Sequence, residues 1–367
     1  MLNSSRRLRR LAVPVLLSLV AASCGSDGAD QADTSADSPS VTADVSATEA
    51  TDGPDTTEAP ESAESEAADE SAVDQVNDAA YPVTIEHRFG STVIPERPER
   101  IVTLNVQWTD AVLAMGETPA AYMLTSTVGE TDPYPWQTGL LDGVERIDSA
   151  GQIPFEMVSA LDPDLILVTF AVAEEADFDL LSDIAPTLAF LSDLEVEPWA
   201  DQVAALGEAL GEPERAAEVI AGVDAQVAEL AAELPGLAGK TYTFANLVPG
   251  DTIYVIADPD DGASRVFNAL GMELDPEIVA IDEGAVGRVQ ISYEQIGLLQ
   301  ADLVGVLLNG AEPDSIVGLS ELPSAESGAL IDFTLPDIVG LNTPTPLSVP
   351  YLLDLMRPQL ELVAGDA

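Results

Sequence analysis

IPFEMVSALDPDLILV, residues 153–168, recurs 138 residues further on as ISYEQIGLLQADLVGV, residues 291–306. Identical or similar residues stand at the first, third, fourth, ninth, twelfth, thirteenth and sixteenth positions of both copies. Each copy indicates a short helix that begins at a polar residue and leads into a buried strand. The fourth position is a glutamate in both, Glu156 and Glu294. We therefore expect two similar lobes, each with one glutamate at the same place.

The spacing of the repeat has the size of a domain. Solenoid units recur every roughly 20–50 residues, well below the 138 residues between these copies. On the usual length of a domain, a chain of 367 residues holds about two to three of them. We therefore expect two folded lobes, each large enough to bury its own core.

The first residues have the features of an export signal. Four arginines at positions 6, 7, 9 and 10 precede an apolar run at 11–22. A signal peptide has a basic start and an apolar segment of roughly 7–15 residues, whereas a membrane-spanning helix needs about 20. We predict a signal peptide over residues 1–23. The arginine pair at positions 6 and 7 also allows a twin-arginine route, so the export route stays open.

Cys24 is the only cysteine of the chain, and it follows the small residues Ala21, Ala22 and Ser23. A bacterial lipobox places its lipidated cysteine at this point, and we predict lipidation of Cys24. The alternative is an unpaired thiol near a cleavage site, which would be an exposed reactive group. With one cysteine, we expect no disulfide in the folded lobes.

Residues 24–79 are predicted to be a disordered acidic tether. From Gly25 to Ala79 the chain has 16 acidic residues, no basic residue and almost no large apolar side chains. Such a composition cannot bury enough surface to offset the entropy of ordering. Residues 80–367 are also acidic, with 49 acids and 9 bases. Nucleic acid is excluded as a partner because phosphate binding needs a basic face.

Beyond the tether, strand patterns alternate with helical patterns. Residues 100–104 form an apolar run typical of a strand that is covered on both faces, and a helix that ends at Gly116 follows it. Further strands are predicted at 165–168, 188–191 and 240–247. This alternation predicts an α/β fold with parallel sheets in two Rossmann-like lobes. Ligands would then bind at the carboxyl ends of the strands.

The longest helical pattern covers residues 199–234. Apolar residues recur at helical spacing on both sides of a break at Gly211, and Pro213 suits the first turn of a second helix. A helix of about 20 residues would be roughly 30 Å long, enough to connect two lobes. We predict that the linking helices at 199–234 join an N-terminal lobe at 80–198 to a C-terminal lobe at 235–367.

Five segments in this order resemble the iron-siderophore substrate-binding lipoproteins of ABC importers. They are VTIEH at 83–87, IPERPERIVTL at 94–104, LDPDLI at 161–166, IAPT at 184–187 and ISYE at 291–294. The resemblance covers about residues 80–362. It implies the helical-backbone substrate-binding fold, with two α/β lobes joined by a long rigid helix. It also implies capture of a ferric siderophore between the lobes and delivery to an ABC importer, without catalysis and without a cofactor of the protein's own.

The resemblance also implies partners and a location. Similar proteins dock an acidic residue of each lobe on arginines of a permease dimer, and the motif positions match Glu156 and Glu294. The alternative for both residues is helix-start chemistry, because an acid in a first turn complements the helix dipole and Ser292 with Gln295 forms a capping box. We expect a monomer, anchored by lipid on the outer face of the cytoplasmic membrane.

The candidate ligand residues are polar or aromatic side chains near strand ends, for which stacking and charge-assisted hydrogen bonds suit a bulky chelate. For the aromatic candidates the alternative is packing in the core or between the lobes, and for the arginines it is a surface ion pair. The candidates are Asn105, Trp108, Tyr134, Trp136, Tyr254, Arg265 and Arg288. The low number of bases favours a neutral or cationic hydroxamate over an anionic catecholate.

Other functions remain as alternatives. A carrier of haem or cobalamin would use the same architecture. A secreted hydrolase with a Ser-His-Asp triad would have to use His87, the only histidine, which we expect on the surface of a strand. The same scarcity of histidine argues against a zinc or manganese carrier. A purely structural lipoprotein would not need two lobes with a gap between them.

Overall fold

The computed structural model describes residues 81–124, 133–149, 152–170, 172, 174–192, 196–250, 252–282 and 287–365. The predicted signal peptide, Cys24 and the tether lie outside these residues. The boundaries predicted for the leader, the tether, the two lobes and the linking segment stay predictions.

The described residues form strands and helices in alternation, as expected. The strands are β1 (Val83–His87), β2 (Gly90–Ile94), β3 (Ile101–Thr103), β4 (Ala121–Tyr122), β5 (Glu145–Arg146), β6 (Leu165–Leu167), β7 (Thr187–Leu188), β8 (Thr241–Leu247), β9 (Ile253–Ile256), β10 (Glu273–Leu274), β11 (Arg288–Ile291), β12 (Leu303–Leu307) and β13 (Leu330–Asp332). The α-helices are α1 (Val106–Ala114), α2 (Phe155–Ala160), α3 (Glu175–Ser182), α4 (Trp199–Leu210), α5 (Pro213–Glu233), α6 (Ser264–Ala269), α7 (Pro276–Ile281), α8 (Pro323–Ser327), α9 (Leu335–Asn342) and α10 (Ser348–Ala364). Short 3-10 helices cover Pro135–Gln137, Pro235–Leu237, Tyr293–Leu298, Pro313–Ser315 and Leu319–Glu321.

The N-terminal lobe is built on a five-stranded parallel sheet in the order β5-β4-β3-β6-β7. Its central strands are buried on both faces, because successive side chains point to opposite sides. Ile101 and Leu165 pack on one face in a cluster with residues of α1 and α4. Val102 and Ile166 pack on the other face in a cluster with residues of α2 and α3. The sheet is thus the middle layer of three.

His87 fastens the β1–β2 hairpin to this lobe. The Phe89 backbone N–H donates to His87 Nδ1 (3.3 Å), so the proton is on Nε2, which donates to Thr92 Oγ1 (2.9 Å). The Thr92 hydroxyl donates in turn to the carbonyl oxygen of Thr187 in β7 (2.7 Å). Burial lowers the pKa of His87, which keeps the ring neutral. The expectation of a surface histidine is wrong, because the hairpin folds back over β7.

The sheet of the C-terminal lobe is mixed. Strands follow the order β11-β9-β8-β12-β13, and β10 pairs with β8. Strands β10, β12 and β13 run parallel to β8 or to its parallel neighbour, whereas β9 is antiparallel to both β8 and β11. The link between β8 and β9 is too short for a crossover, so β9 returns as a hairpin partner. The predicted α/β fold of two lobes with parallel sheets is confirmed, with this antiparallel strand as an addition.

The sequence repeat forms the same structure in both lobes. Each copy gives a short helix followed by a central strand, α2 and β6 in one lobe, and the 3-10 helix Tyr293–Leu298 and β12 in the other. The matched aspartates act alike at the start of the neighbouring strand. Asp164 accepts hydrogen bonds from the backbone N–H groups of Glu99 (2.7 Å) and Arg100 (2.8 Å) before β3. Asp302 accepts one from the backbone N–H of Thr241 (2.8 Å) at the start of β8.

Helix α5 enters the cores of both lobes. Near its start, Ala216 is buried in the cluster that contains Trp108 and α4 of the N-terminal lobe. Further along, Val223 and Leu230 are buried in a cluster with α6 and α10 of the C-terminal lobe. The helix has 21 residues, which corresponds to about 30 Å. No helix within the described ranges is long and apolar enough to cross a membrane.

The close contact between α4 and α5 gives a first prediction. A Cβ on Gly207 would overlap the Cβ of Ala216 and come within 3.2 Å of the backbone oxygen of Glu212. We expect Gly207→Ala to lower the free energy of unfolding by about 1–3 kcal/mol, although alanine favours helices. Gly222→Ala in α5 is the control, because a Cβ there meets nothing within 4 Å. It should raise stability by up to about 1 kcal/mol in urea unfolding. Equal effects of the two changes would contradict the packing.

The two matched aspartates give a second prediction. We expect Asp164→Ala and Asp302→Ala each to lower the free energy of unfolding by about 0.5–1.5 kcal/mol, because backbone N–H groups lose their acceptor. Asp142→Ala, on the exposed surface of the N-terminal lobe, should stay within about 0.5 kcal/mol.

Asp302 adds a dependence on pH. Burial opposes its ionisation, but hydrogen bonds from Thr241 and Lys240 outweigh burial and hold the pKa of Asp302 below its usual value. A lowered pKa stabilises the fold above the unfolded value of about 3.9, and the contribution is lost as the pH falls below it. The difference between wild type and Asp302→Ala should therefore shrink in unfolding curves recorded at successively lower pH. A difference that grows on acidification would contradict this.

Candidate functional site

The carboxyl edge of the N-terminal sheet carries buried polar groups without partners. Asn105 follows β3, is 1% exposed, and donates from Nδ2 to Thr169 Oγ1 (2.5 Å) beyond β6. Its Oδ1 has no hydrogen-bond partner in the described structure, and neither amide atom of Gln107 has one, although Gln107 is also 1% exposed. Buried polar atoms normally find a partner. These amides can therefore bind polar atoms of a ligand or water.

Aromatic side chains lie at the same edge. Phe190 follows β7, and the guanidinium carbon of Arg88 lies 4.0 Å from the centre of its ring. Phe170 follows β6, stands edge-on to Phe190 at 5.7 Å between ring centres, and is 39% exposed. The Arg88 backbone N–H also donates to the carbonyl oxygen of Phe190 (2.6 Å). This cluster offers an apolar face and a cation to a ligand.

Tyr134 and Trp136 lie where the two lobes meet. Their rings stack at 4.8 Å, and Trp136 is tilted against Tyr351 of α10 at 5.6 Å. A Cβ on Gly340, at the end of α9, would come within 3.1 Å of the Trp136 ring. The indole N–H of Trp136 donates to Asp110 Oδ2 (2.7 Å). The structure therefore shows both aromatic side chains packed between the lobes, which was the alternative stated for them.

Trp108 lies in the hydrophobic core of the N-terminal lobe. It is 0% exposed and belongs to the cluster that includes Ile101, Val112 and Leu206. Trp108 is therefore a core residue, which was the alternative stated for it, and its interpretation as a ligand residue is corrected. The reason is its position in the first turn of α1, on the face that packs against the sheet and α4.

Tyr254 and Arg288 share one face of the C-terminal sheet. Tyr254 in β9 is paired with Gln290 in β11, so Arg288, two residues before Gln290, lies diagonal to Tyr254. Arg288 is exposed and contacts Asp261 Oδ2 (3.3 Å) and Asn342 Oδ1 (3.1 Å). Tyr254 is half-buried. The surface ion pair stated as the alternative for the arginines is formed by Arg288.

Arg265 differs from the other bases. It is half-buried in α6, and within the described ranges the structure gives its side chain neither an ion pair nor a hydrogen bond. Its backbone N–H donates to the carbonyl oxygen of Gly262 (3.3 Å). A Cβ on Gly262 would approach Val196 of the N-terminal lobe to 3.2 Å, so this turn borders the gap between the lobes. Arg265 is thus a cation near the gap that is free to bind an anionic or oxygen-rich group.

The two glutamates of the repeat occupy equivalent exposed positions. Glu156 lies in the first turn of α2 after β5, and Glu294 lies in the 3-10 helix after β11. Both helices follow the carboxyl end of a strand that runs parallel to the central strand of its sheet. The predicted capping box of Ser292 with Gln295 is confirmed. Docking through these two glutamates stays a prediction.

A surface depression lies beside Glu294. Its volume is about 920 Å³, and its lining includes Tyr293, Glu294, Val317 and Glu321. Val317 is 87% exposed. The depression therefore combines two carboxylates with an exposed apolar side chain.

Several of these positions were absent from the candidates drawn from the sequence. They are Arg88, Thr169, Phe170 and Phe190. Thr169 and Phe170 directly follow the strand predicted at 165–168, so the rule that sites lie at carboxyl ends could have found them, whereas Phe190 lies within the strand predicted at 188–191. In the described part of the chain, no three His, Cys, Asp or Glu side chains are grouped so that they could hold a metal ion.

Known proteins resemble this chain along most of its folded length. The family model described as periplasmic binding protein matches residues 101–327. The probable siderophore-binding lipoprotein YfiY of Bacillus subtilis (strain 168) is 30% identical over 194 residues, which are 52% of this chain and 57% of that protein. The chain thus matches little more than half the length of this relative.

Solved structures share the fold. A periplasmic solute binding protein from Mycobacterium smegmatis has a TM-score of 0.63 and 27% identity, covering 77% of this chain and 99% of that one. PiaA from Streptococcus pneumoniae in complex with ferrichrome has a TM-score of 0.62 and 22% identity, covering 76% and 99%. The match of the family model extends from the first central strand of one lobe, through the linking helices, into the other lobe. The chain therefore belongs to the periplasmic binding protein family.

Proposed function

We propose that this protein captures a ferric siderophore between its two lobes and delivers it to an ABC importer. The observation that carries this proposal is the family match over residues 101–327, which includes central strands of both lobes and the linking helices. The relative from Bacillus subtilis is described as a probable siderophore-binding lipoprotein, and the Streptococcus pneumoniae neighbour was solved with ferrichrome. The protein binds and hands over its ligand without changing it chemically.

The chelate is a neutral or cationic hydroxamate. A ferric tris-catecholate carries several negative charges, whereas a ferric tris-hydroxamate is neutral. The folded part has few bases, and ion pairs occupy most of them, including Arg97, Arg146, Arg215 and Lys240. Arg265 supplies one available cation, and Asn105, Gln107 and the Phe170–Phe190 pair supply polar and apolar contacts. A neutral oxygen-rich chelate needs no more charge than this.

Glu156 and Glu294 dock on the two subunits of the permease. With one exposed carboxylate on each lobe, a dimeric partner can contact both lobes at once. Exposed charges also steer the encounter. The depression beside Glu294 adds Glu321 and the exposed side chain of Val317 to this surface. Lipid on Cys24 anchors the protein outside the cytoplasmic membrane, and the acidic tether allows the lobes to reach the permease.

The lobes move little relative to each other when the ligand binds. Helix α5 is continuous over 21 residues and is packed in both cores, so bending it would break packing on either side. Ligand capture then depends on side chains and loops near the gap.

Binding measurements test the ligand. Titrations would follow the quenching of the intrinsic tryptophan fluorescence of the full chain. We expect a lower Kd for ferrichrome, a ferric hydroxamate, than for ferric enterobactin, a catecholate. Arg265→Ala should weaken ferrichrome binding about 10-fold or more, because a charge-assisted hydrogen bond is lost. Arg215→Ala is the control, since Arg215 is exposed and pairs with Glu218 on α5. Tight binding of the catecholate alone would contradict the proposed chelate.

Transport measurements test docking. Glu156→Ala combined with Glu294→Ala should lower iron uptake at least about 10-fold while leaving ferrichrome affinity unchanged, because docking charges act on the encounter with the partner. Glu175→Ala combined with Glu277→Ala is the matched control, since both residues are exposed acids in the first turns of α3 and α7. A similar loss of uptake in the control would contradict docking through Glu156 and Glu294.

A further inference from the structure

Asp110 is a fully buried carboxylate that binds only donors. It is 0% exposed in α1. Its Oδ2 accepts hydrogen bonds from the Trp136 indole N–H (2.7 Å) and the Thr345 hydroxyl (2.6 Å), and its Oδ1 accepts one from Gln137 Nε2 (2.5 Å). Short bonds to a carboxylate are the strong kind.

The bond to Thr345 joins the two lobes. Asp110 belongs to the N-terminal lobe, whereas Thr345 precedes α10 of the C-terminal lobe, 235 residues away in sequence. The same Thr345 oxygen accepts from the backbone N–H of Ser348 at the start of α10 (2.8 Å). A chain of hydrogen bonds thus connects the amino end of α10 to the carboxylate, and the positive end of that helix dipole favours the negative charge.

Among the residues that the structure describes, no other charged side chain contacts Asp110 directly. None of its three partners titrates, and no Lys, Arg or His side chain bonds to it within the described residues. The titratable groups next in line are Tyr134, stacked on Trp136, and Tyr351, whose hydroxyl donates to Asp337 Oδ1 (2.8 Å). Burial raises the pKa of Asp110 to about 7, and the bonds from Thr345, Gln137 and Trp136 oppose the rise.

Burying an acid of this kind lowers the stability of the fold unless its hydrogen bonds hold other segments in place. Desolvating a carboxylate disfavours folding, and an apolar residue at this helix position would avoid that cost. The three donors come from two segments, the 3-10 helix Pro135–Gln137, which supplies Trp136 and Gln137, and the turn before α10, and Asp110 itself adds helix α1 as a third segment. The gain from Asp110 is therefore the relative placement of these segments, two of which belong to different lobes.

We propose that Asp110 is a positioning residue that fastens the two lobes through Thr345 and holds the Trp136 ring between them. The fastener fixes the angle at which the lobes meet beside the linking helix α5. It also fixes the distance between the exposed glutamates Glu156 and Glu294, since each belongs to one lobe. This inference does not depend on the identity of the ligand or on the proposed function.

Hydrogen exchange on the full chain without ligand tests the fastener. We expect Thr345→Val, a change in the C-terminal lobe, to speed the exchange of the amides at 134, 136 and 137 in the N-terminal lobe about 10-fold or more. We expect Asp110→Ala, a change in the N-terminal lobe that removes the acceptor, to do the same for the amides at 345, 347–349 and 351. The double variant should exceed either single one by no more than about twofold, because all three lose the same contact.

Two controls keep the test decisive. Thr343→Val removes a hydroxyl that donates to Val339 within the C-terminal lobe (2.7 Å), so its effect should stay in that lobe. Thr345→Ser keeps the hydroxyl and should behave like the wild type. Faster exchange confined to the lobe that carries each substitution would overturn the proposal. So would equal acceleration of β6 and β12, because that pattern reports general loss of stability.

Discussion

Helix α5 is the constraint on which the arrangement of this protein depends. One continuous helix has its first turns in the core of one lobe and its later turns in the core of the other, with Ala216 at one end and Leu230 at the other. Burial of each large apolar side chain contributes about 1.5–3 kcal/mol, so neither end is released easily. In the proposed function the lobes therefore keep their places without a flexible hinge, and the ligand fits a gap of nearly fixed width.

Within this frame each lobe places its functional groups by the same rule. The carboxyl ends of the central strands point to one edge of each sheet, and the loops that follow carry Asn105, Thr169 and Phe190 in one lobe. The repeat positions Glu156 and Glu294 on the helices after β5 and β11. The lobes differ where the sequences differ: in the described residues the central sheet of the second lobe includes the antiparallel strand β9, and this lobe carries Arg265. The repeat thus gives the two lobes similar exposed surfaces, whereas the segments that differ include Arg265 near the gap.

Sequence patterns located most of the elements because the patterns are local. The apolar runs at 100–104 and 165–168 contain strands β3 (Ile101–Thr103) and β6 (Leu165–Leu167), and the break at Gly211 separates α4 from α5. Patterns did less well where a residue depends on distant segments. His87 looked like a surface residue until the hairpin was placed over β7, and Trp108 looked like a ligand residue until α1 was packed on α4. The sequence around these two residues does not indicate either contact.

The sequence alone determined the two-lobed α/β fold, the linking helices and the family, because a repeat, a helical period and a set of short motifs are all properties of consecutive residues. The tertiary structure decided which candidates have partners. It paired Arg288 with Asp261 and Asn342, left Arg265 without one in the described residues, and brought Asp110 to Thr345. Those contacts join segments up to 235 residues apart, and only the folded chain brings their atoms within bonding distance.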